Sequence, residues 1–220
     1  MNQTNPAPSH LRKQSPALAW MRQYLRVPVT GVLIASFSLW SAQVRGATLV
    51  WDGGTNTWDV GTTLNWNGGG AWANSNNNIA LFGGTVGTVT LGAPITAGGL
   101  IFNSSGYTIA SDTLTLAAPS GVQSPIIAVN NNGFGTNRAT VSSLLAGTSG
   151  FTKTGNGTLV LSNNSNSFSG DIAIKGGSLV VTNAGQLGTG TTAISVTGIA
   201  QNGNPGYSGG ALVLQGTSSG

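Results

Sequence analysis

The chain has 220 residues, of which 35 are glycine and none is cysteine, and only 5% of its side chains are charged. Ordinary globular proteins carry roughly 25% charged residues, so Asn, Ser and Thr must solvate this surface instead. Beyond residue 46 three basic residues face four acidic ones, a net charge of −1: Arg138, Lys153 and Lys175 against Asp52, Asp59, Asp112 and Asp171. This balance excludes the basic patch that a nucleic-acid partner requires.

The first 46 residues predict a cleavable signal peptide with an extended basic region. Residues 1–26 carry four basic residues and no acidic one, and residues 29–42 are an uncharged run of fourteen. A basic region followed by a short apolar core is typical of secretory signals, whereas a bilayer span needs about 20 apolar residues. Gly46 provides a small residue directly before the expected cleavage at Ala47. An uncleaved N-terminal anchor is the alternative.

Residues 47–82 contain four tryptophans separated by Gly and Asn. These are Trp51, Trp58, Trp66 and Trp72, and no tryptophan follows them. One hypothesis makes Trp58, Trp66 and Trp72 a ligand-binding platform for carbohydrate. The other is an N-terminal cap that covers the open core and unpaired edge of the first structural coil. The irregular spacing and the position ahead of the strand series favour the cap.

Residues 83–220 alternate short aliphatic runs with Gly, Asn and Ser, as expected of an all-β chain. One phrase, glycine-small-Leu-Val-aliphatic, begins at Gly157, again at Gly177 and again at Gly210. Recurrence at 20 or more residues indicates stacked coils, because one coil cannot bury its apolar side chains alone. About 20 residues per coil predicts about eight coils over residues 47–220. A β-sandwich is the alternative, because it also has short, evenly spaced strands.

The repeated phrase predicts which side chains share the core. Successive side chains of a strand point to opposite faces. We therefore expect alternate residues of each phrase to face one shared interior, namely Leu159, Leu161, Leu179, Val181, Leu212 and Leu214. The valines between them, Val160, Val180 and Val213, should point to the opposite face.

Residues 150–190 resemble the autotransporter-associated β-strand repeat of large secreted bacterial proteins. The likeness rests on Lys153-Thr-Gly-Asn-Gly-Thr-Leu-Val-Leu-Ser162, Asn166-Ser-Phe-Ser-Gly170, Gly177-Ser-Leu179 and Leu187-Gly188, with Phe168 in place of the usual tyrosine. The opening Trp51-Asp-Gly-Gly54 and Leu64-Asn-Trp66 are also similar to the starts of such proteins. The resemblance implies a right-handed parallel β-helix passenger that is exported and often held at the cell surface, with no catalytic site in the repeat.

Residues that carry chemistry are scarce after residue 46, where no His, Cys or Glu occurs. This excludes Ser–His and Cys–His nucleophilic pairs and the usual zinc sites, and we predict no catalytic residue, cofactor or metal site. The strongest catalytic alternative is a polysaccharide-acting β-helix enzyme that uses the carboxyl groups of Asp52 and Asp59. The competing interpretation is that both aspartates cap turns.

Two asparagine-rich runs, 74–78 and 130–132, predict a side-chain ladder, a ligand-binding face or solvated loops. Together the patterns favour an exported, non-catalytic, adhesin-like surface module, secreted or held at the outer cell surface. Its expected partners are surface glycans or another cell-surface protein, with no transmembrane span in the mature chain. A carbohydrate-binding module is the alternative. The chain stops directly after a repeat strand, so we expect a downstream segment, and an open terminal coil predicts edge-to-edge self-association.

Overall fold

The computed structural model describes residues 46–130, 137–190, 193–197 and 209–215. All of these lie in one compact unit, Ser41–Gly220. The expected signal peptide falls outside the described residues except for Gly46, so the signal and its cleavage stay predictions.

The described chain consists of short strands and two 3₁₀ turns, Asn74–Asn76 and Ala184–Leu187. In chain order the strands are β1 Thr48–Val50, β2 Asn56–Trp58, β3 Ile79–Phe82, β4 Thr88–Leu91, β5 Ile95–Ala97, β6 Gly99–Phe102, β7 Tyr107–Ser111, β8 Thr113–Leu116, β9 Ile126–Val129, β10 Arg138–Val141, β11 Leu144–Ala146, β12 Phe151–Thr154, β13 Thr158–Leu161, β14 Ile172–Ile174, β15 Ser178–Val181, β16 Ile194–Val196 and β17 Ala211–Leu214. Within these ranges no helix has the length and apolarity that a membrane crossing requires.

The strands form three sheets in which all pairs of named strands are parallel. The first sheet has the order β1-β3-β6-β9-β12-β14-β16, the second β2-β4-β7-β10-β13-β15-β17 and the third β5-β8-β11. The chain therefore visits the sheets in turn and returns to the first sheet one strand further along. This path is a parallel β-helix, as the sequence predicts. The β-sandwich alternative is wrong, because sandwich sheets pair antiparallel strands.

Coil length varies more than the sequence predicts. Thr158 pairs with Ser178, twenty residues on, whereas Ser178 pairs with Ala211, thirty-three residues on. The described strands accordingly give seven strands in each of the two long sheets, not the eight coils expected. Loops inserted between strands account for the difference, because a loop lengthens a coil without changing the register of the strands around it.

The core cluster follows the predicted alternation, although Val160 and Val180, which lie outside that cluster, are also buried. Leu159, Leu179 and Leu212 occupy one register position of the second sheet. The first two are fully buried in the hydrophobic core, and Leu212 packs against it partly buried. Burial of a leucine side chain contributes about 1.5–3 kcal/mol, so each added coil strengthens the shared interior.

The end of the second sheet departs from the prediction. Leu214 pairs with Val181, which is 1% exposed, yet Leu214 itself is 71% exposed. It lies on β17, the last strand of that sheet in the described residues. The expectation of a buried Leu214 was therefore wrong, because burial in a solenoid needs a neighbouring coil on both sides.

Close approach of successive turns requires glycine at two positions of the repeat. Gly150 has φ 59° and Gly177 has φ 62°, a backbone conformation that costs other residues free energy. A Cβ at Gly150 would collide with the backbone of Asp171, and one at Gly177 with the backbone of Gly157. Part of the glycine excess thus serves the stacking of one turn directly on the next.

Candidate functional site

The four tryptophans of residues 47–82 form one buried cluster. Trp58 and Trp66 are 0% exposed, Trp72 is 1% exposed and Trp51 is 2% exposed. Ring centroids lie 4.7 Å apart for Trp58 and Trp72 and 5.0 Å apart for Trp58 and Trp66, both edge to face. Such aromatic pairs contribute about 0.5–1.5 kcal/mol beyond the area that they bury.

The tryptophan cluster is continuous with the core of the solenoid. Phe82 on β3 lies 5.8 Å from Trp58 and 5.9 Å from Trp66, measured between ring centroids. On its other side Phe82 stacks on Phe102, its partner in the first sheet, at 5.0 Å. The indoles therefore extend the row of inward-facing aromatic rings.

The indole N–H groups of the cluster differ in their hydrogen bonding. The Nε1 of Trp72 donates to the side chain of Asn74 and to the carbonyl of Thr96, each at 3.2 Å. The buried Nε1 atoms of Trp58 and Trp66 have no oxygen partner among the described residues.

This geometry bears on the two hypotheses for the tryptophans. A carbohydrate platform needs ring faces in solvent, whereas Trp58, Trp66 and Trp72 are all in the core. The expected ligand-binding face is thus not exposed, because the rings pack on one another and on Phe82. Burial of this kind is also what the other hypothesis, a hydrophobic cap, requires, and the cap itself stays a prediction.

Asp52 and Asp59 each hold a turn together. The carboxylate of Asp52 accepts a hydrogen bond from the backbone N–H of Gly68 at 2.7 Å. The carboxylate of Asp59 accepts from both the N–H and the hydroxyl of Thr63, each at 2.9 Å. The Asp59 contacts are local, as the turn-capping alternative requires, whereas Asp52 reaches sixteen residues along the chain to the turn at Gly68.

The pKa of Asp59 fits a structural role as a hydrogen-bond acceptor. Burial acts to raise the pKa of Asp59, but hydrogen bonds from Thr63 and Thr62 outweigh it and hold the pKa below its ordinary value. A glycoside-cleaving general acid requires the opposite, a carboxyl group whose pKa is raised. Asp59 therefore favours the ionised, accepting state.

The other candidate acidic residues also sit at turns. Asp112 accepts from the N–H of Thr113 at 2.6 Å, and Asp171 lies in the turn before β14. In the described part of the chain no three His, Cys, Asp or Glu side chains come close enough to hold a metal ion.

The expected cleavage point lies where the described fold begins. Ala47 is exposed, and its backbone N–H donates to the side-chain oxygen of Asn78 at 2.9 Å. Its carbonyl accepts from the N–H of Ile79 at 2.8 Å. Ala47 is thus tied to the second coil, while the assignment of Gly46 and Ala47 as a cleavage site stays a prediction.

The asparagine-rich runs are used as links between coils. The side-chain amide of Asn130 donates to the side-chain oxygen of Asn103, one coil earlier, at 2.8 Å, a short asparagine ladder. Asn74 accepts from the N–H of Thr96 at 2.8 Å, at the free edge of β5. Asn131 and Asn132 lie outside the described residues.

Lys153 is a buried cation that sequence reasoning missed. Its side chain is 0% exposed, and its Nζ donates to three carbonyl oxygens, of Thr154 at 2.8 Å, Gly155 at 3.0 Å and Gly176 at 3.0 Å. Burial lowers the pKa of Lys153 to about 8. At neutral pH the ammonium group is protonated, and each of its three hydrogens has an acceptor. The signal was present, since Lys153 is two residues from the buried Phe151 on one strand and so shares its inward face.

Asn166 is a second buried polar link within the same repeat. It is 1% exposed, and its side-chain oxygen accepts from the N–H of Leu145 on β11 at 2.8 Å. Its amide group donates to the carbonyl of Gln186 at 2.8 Å. One side chain thus continues the hydrogen bonding beyond the last strand of the third sheet and joins three successive coils.

The comparisons with known proteins agree with this local architecture. Residues 151–181 match the family described as Passenger-associated-transport-repeat. These residues span β12 to β15, the two coils that contain Lys153 and Asn166. The chain carries an autotransporter passenger repeat. The resemblance seen in the sequence is therefore confirmed.

The passenger repeat lies in a chain that is similar to an adhesin over most of its length. It is 35% identical over 217 residues to the adhesin BmaC autotransporter of Brucella suis biovar 1 (strain 1330). The match covers 92% of this chain but 6% of that protein, so the chain spans a small fraction of the relative's length. No solved structure matches the chain.

Proposed function

We propose that this chain is an exported, adhesin-like module of a bacterial surface, which acts by binding and not by catalysis. The observation that carries the proposal is the combination of a passenger repeat with similarity to an autotransporter adhesin over 92% of the chain. The parallel β-helix supports it, because stacked coils give an extended surface for binding.

The surface chemistry fits a binding role. With 5% charged residues, the solenoid offers mainly hydroxyl, amide and backbone groups to a partner. Surface glycans or another cell-surface protein are the partners proposed, held by many hydrogen bonds over a long face. The tryptophan-rich region, 47–82, is proposed as the cap of that solenoid, and residues 83–220 as its repeat body.

A passive role is also favoured by how the acidic residues are used. Asp52 and Asp59 accept hydrogen bonds from the N–H groups of Gly68 and Thr63, and the pKa of Asp59 is lowered, which disfavours proton donation.

Binding is tested with beads coated with the purified 220-residue chain and offered to cultured animal cells. We expect retention on cells well above beads coated with albumin and above beads coated with chain that was heat-unfolded before coupling. Equal retention of all three would contradict the proposal, because a fold-dependent surface would then play no part.

Export is tested separately by expressing the chain in a Gram-negative host and sequencing the N-terminus of the exported product. The proposed signal peptide predicts a mature chain that begins at Ala47. A product that stays in the cytoplasm with residues 1–46 attached would overturn this part.

A further inference from the structure

A groove of about 340 Å³ lies on the outer face of the first sheet, apart from the tryptophan cluster and the aspartate-capped turns. Its floor contains Thr152 of β12 and Ala173 of β14, which are paired in register on adjacent strands. Ile126 of β9, 44% exposed, is the next residue of the same outward row. The groove therefore runs across three successive coils.

The walls of the groove come from the chain segments that precede β9, β12 and β14. Between β8 and β9 the chain makes a nine-residue loop, 117–125, which contributes Gln123 and Ser124. The four-residue turn 147–150 before β12 contributes Thr148 with Ser149, and the ten-residue segment 162–171 before β14 contributes Gly170 with Asp171. The ends of these last two segments stack closely, since Gly150 leaves no room for a side chain against Asp171.

The lining is rich in hydrogen-bonding groups that the fold does not use. In the described part of the chain the side chains of Gln123, Thr148, Ser149 and Thr152 make no hydrogen bond, although they lie together around one groove. Each hydroxyl offers one donor and two acceptor positions, and the glutamine offers both kinds of group. Among the lining residues Asp171 is the one carboxylate, and no lining residue is basic.

These features select between classes of ligand. Anionic chains are disfavoured because Asp171 would repel them, and the nearest cation along the sheet, Lys175, lies two residues beyond Ala173 and outside the lining. An extended peptide is disfavoured because it binds sheets by pairing with a free strand edge. Here the backbone groups of the floor are already paired, β12 with both β9 and β14.

We propose that this groove binds a neutral, hydroxyl-rich glycan chain that lies along the row Ile126, Thr152 and Ala173. Hydroxyl and amide groups from the two walls and the floor bond the sugar hydroxyls, while Ile126 and Ala173 contact the apolar C–H faces of the rings. The volume lies at the low end of ligand sites, so the groove holds a short segment of a longer chain. This inference rests on the proposed adhesin-like function and names its ligand class and site.

The test is calorimetric titration of the purified 220-residue chain with linear hexasaccharides of glucose, mannose and N-acetylglucosamine. A heparin hexasaccharide and a lysine-containing unstructured peptide are titrated alongside. We expect saturable binding of at least one neutral hexasaccharide and none of the other two probes. No saturable binding of any neutral hexasaccharide, or preference for heparin or the peptide, would overturn the proposal.

Two variants locate the binding site, Thr152→Val and Gln123→Leu. Each removes hydrogen-bonding groups without a charge change, and each should weaken binding about fivefold, the effect of about one lost hydrogen bond. The matched control is Thr140→Val, an outward-facing threonine of the second sheet whose neighbour in register is Val160. All three variants should keep the native circular dichroism spectrum. Unchanged affinity in both groove variants, or equal loss in the control, would refute the site.

The bead assay separates this inference from the proposed function. If Thr152→Val and Gln123→Leu beads adhere to cells like the native chain, the groove is not the adhesive site, but the adhesin-like function stands. If the native chain binds a neutral hexasaccharide in the groove yet its beads do not adhere to cells, the groove stands and the function fails.

Discussion

The ammonium nitrogen of Lys153 lies 3.0 Å from the carbonyl oxygen of Gly176, which belongs to the following coil of the solenoid. The same nitrogen binds the carbonyls of Thr154 and Gly155 in its own coil. A single buried cation thus joins two coils at the turn between the first and second sheets. The passenger repeat therefore contains a buried polar link between coils, the Lys153 ammonium group, as well as an apolar core.

Replacing this lysine should destabilise the fold. Lys153→Met keeps the volume and apolar stem but leaves the buried carbonyl of Gly176 without a donor, which costs about 1–3 kcal/mol. The measurement is the free energy of unfolding in urea. The control, Lys175→Met, removes an exposed charge from the same repeat and should change stability by about 0.5 kcal/mol or less. Equal stability of the native chain and Lys153→Met would contradict a stabilising link by Lys153 between the two coils.

The buried lysine also predicts how stability depends on pH. Burial lowers the pKa of Lys153 to about 8, whereas lysine in an unfolded chain titrates near about 10.4. Below pH 8 both states hold the proton, and the folded state bears the full cost of burying it. Between about pH 8 and pH 10 the folded state loses the proton first, so the free energy of unfolding rises with pH.

The measurement of this dependence is urea unfolding from pH 7 to pH 10, and Lys153→Met should abolish the rise. Burial raises the pKa of Tyr107, so the unfolded chain loses that proton first, and the free energy of unfolding falls above about pH 10. The pH series therefore stops at pH 10. A stability that falls between pH 8 and pH 10 in the native chain alone would speak against a buried ammonium.

Asn166 offers a sharper test of the polar links, because Asp has nearly the same shape. In the native chain the amide nitrogen of Asn166 donates to the carbonyl of Gln186 at 2.8 Å. Asn166→Asp keeps the acceptor for the N–H of Leu145 but replaces that nitrogen with a second oxygen, which faces the Gln186 carbonyl. The buried, unpaired charge should cost about 3 kcal/mol or more. The control is Asn164→Asp, an exposed position whose side-chain oxygen accepts from Gln186 and still does so after the change. Thermal unfolding of the two variants should therefore differ clearly, and matching transitions would exclude the link.

The aspartates of the first coil should matter for stability and not for turnover. Asp59→Ala removes the acceptor of two hydrogen bonds from Thr63 and should cost about 1 kcal/mol in the free energy of unfolding. Neither the native chain nor its Asp52→Asn and Asp59→Asn variants should release reducing sugar from polysaccharides. Release by the native chain that either Asn variant abolishes would restore the enzyme hypothesis.

Sequence reasoning predicted those parts of the fold that repeat. Leu159, Leu179 and Leu212 could be placed in one interior because alternation and the recurring glycine phrase define both face and register. The described strands give seven coils where about eight were expected, because inserted loops change chain length and leave the register intact. Lys153 was missed because its acceptors come from turns, and Gly176 becomes its neighbour only when two coils stack. The direction of the indole rings was open because irregular spacing does not specify a strand face.

The central claim, in-register stacking of parallel coils, is tested most directly by cysteine cross-linking, since the native chain has no cysteine. Thr158 and Ser178 are paired on the outer face of β13 and β15. The account predicts that Thr158→Cys with Ser178→Cys forms a disulfide under mild oxidation, because paired strands lie about 4.8 Å apart and disulfides span Cα distances of about 4.4–6.8 Å. Thr158→Cys with Val180→Cys, shifted by two residues, should stay reduced. Oxidation of the shifted pair in preference to the in-register pair would contradict the fold proposed for the repeat.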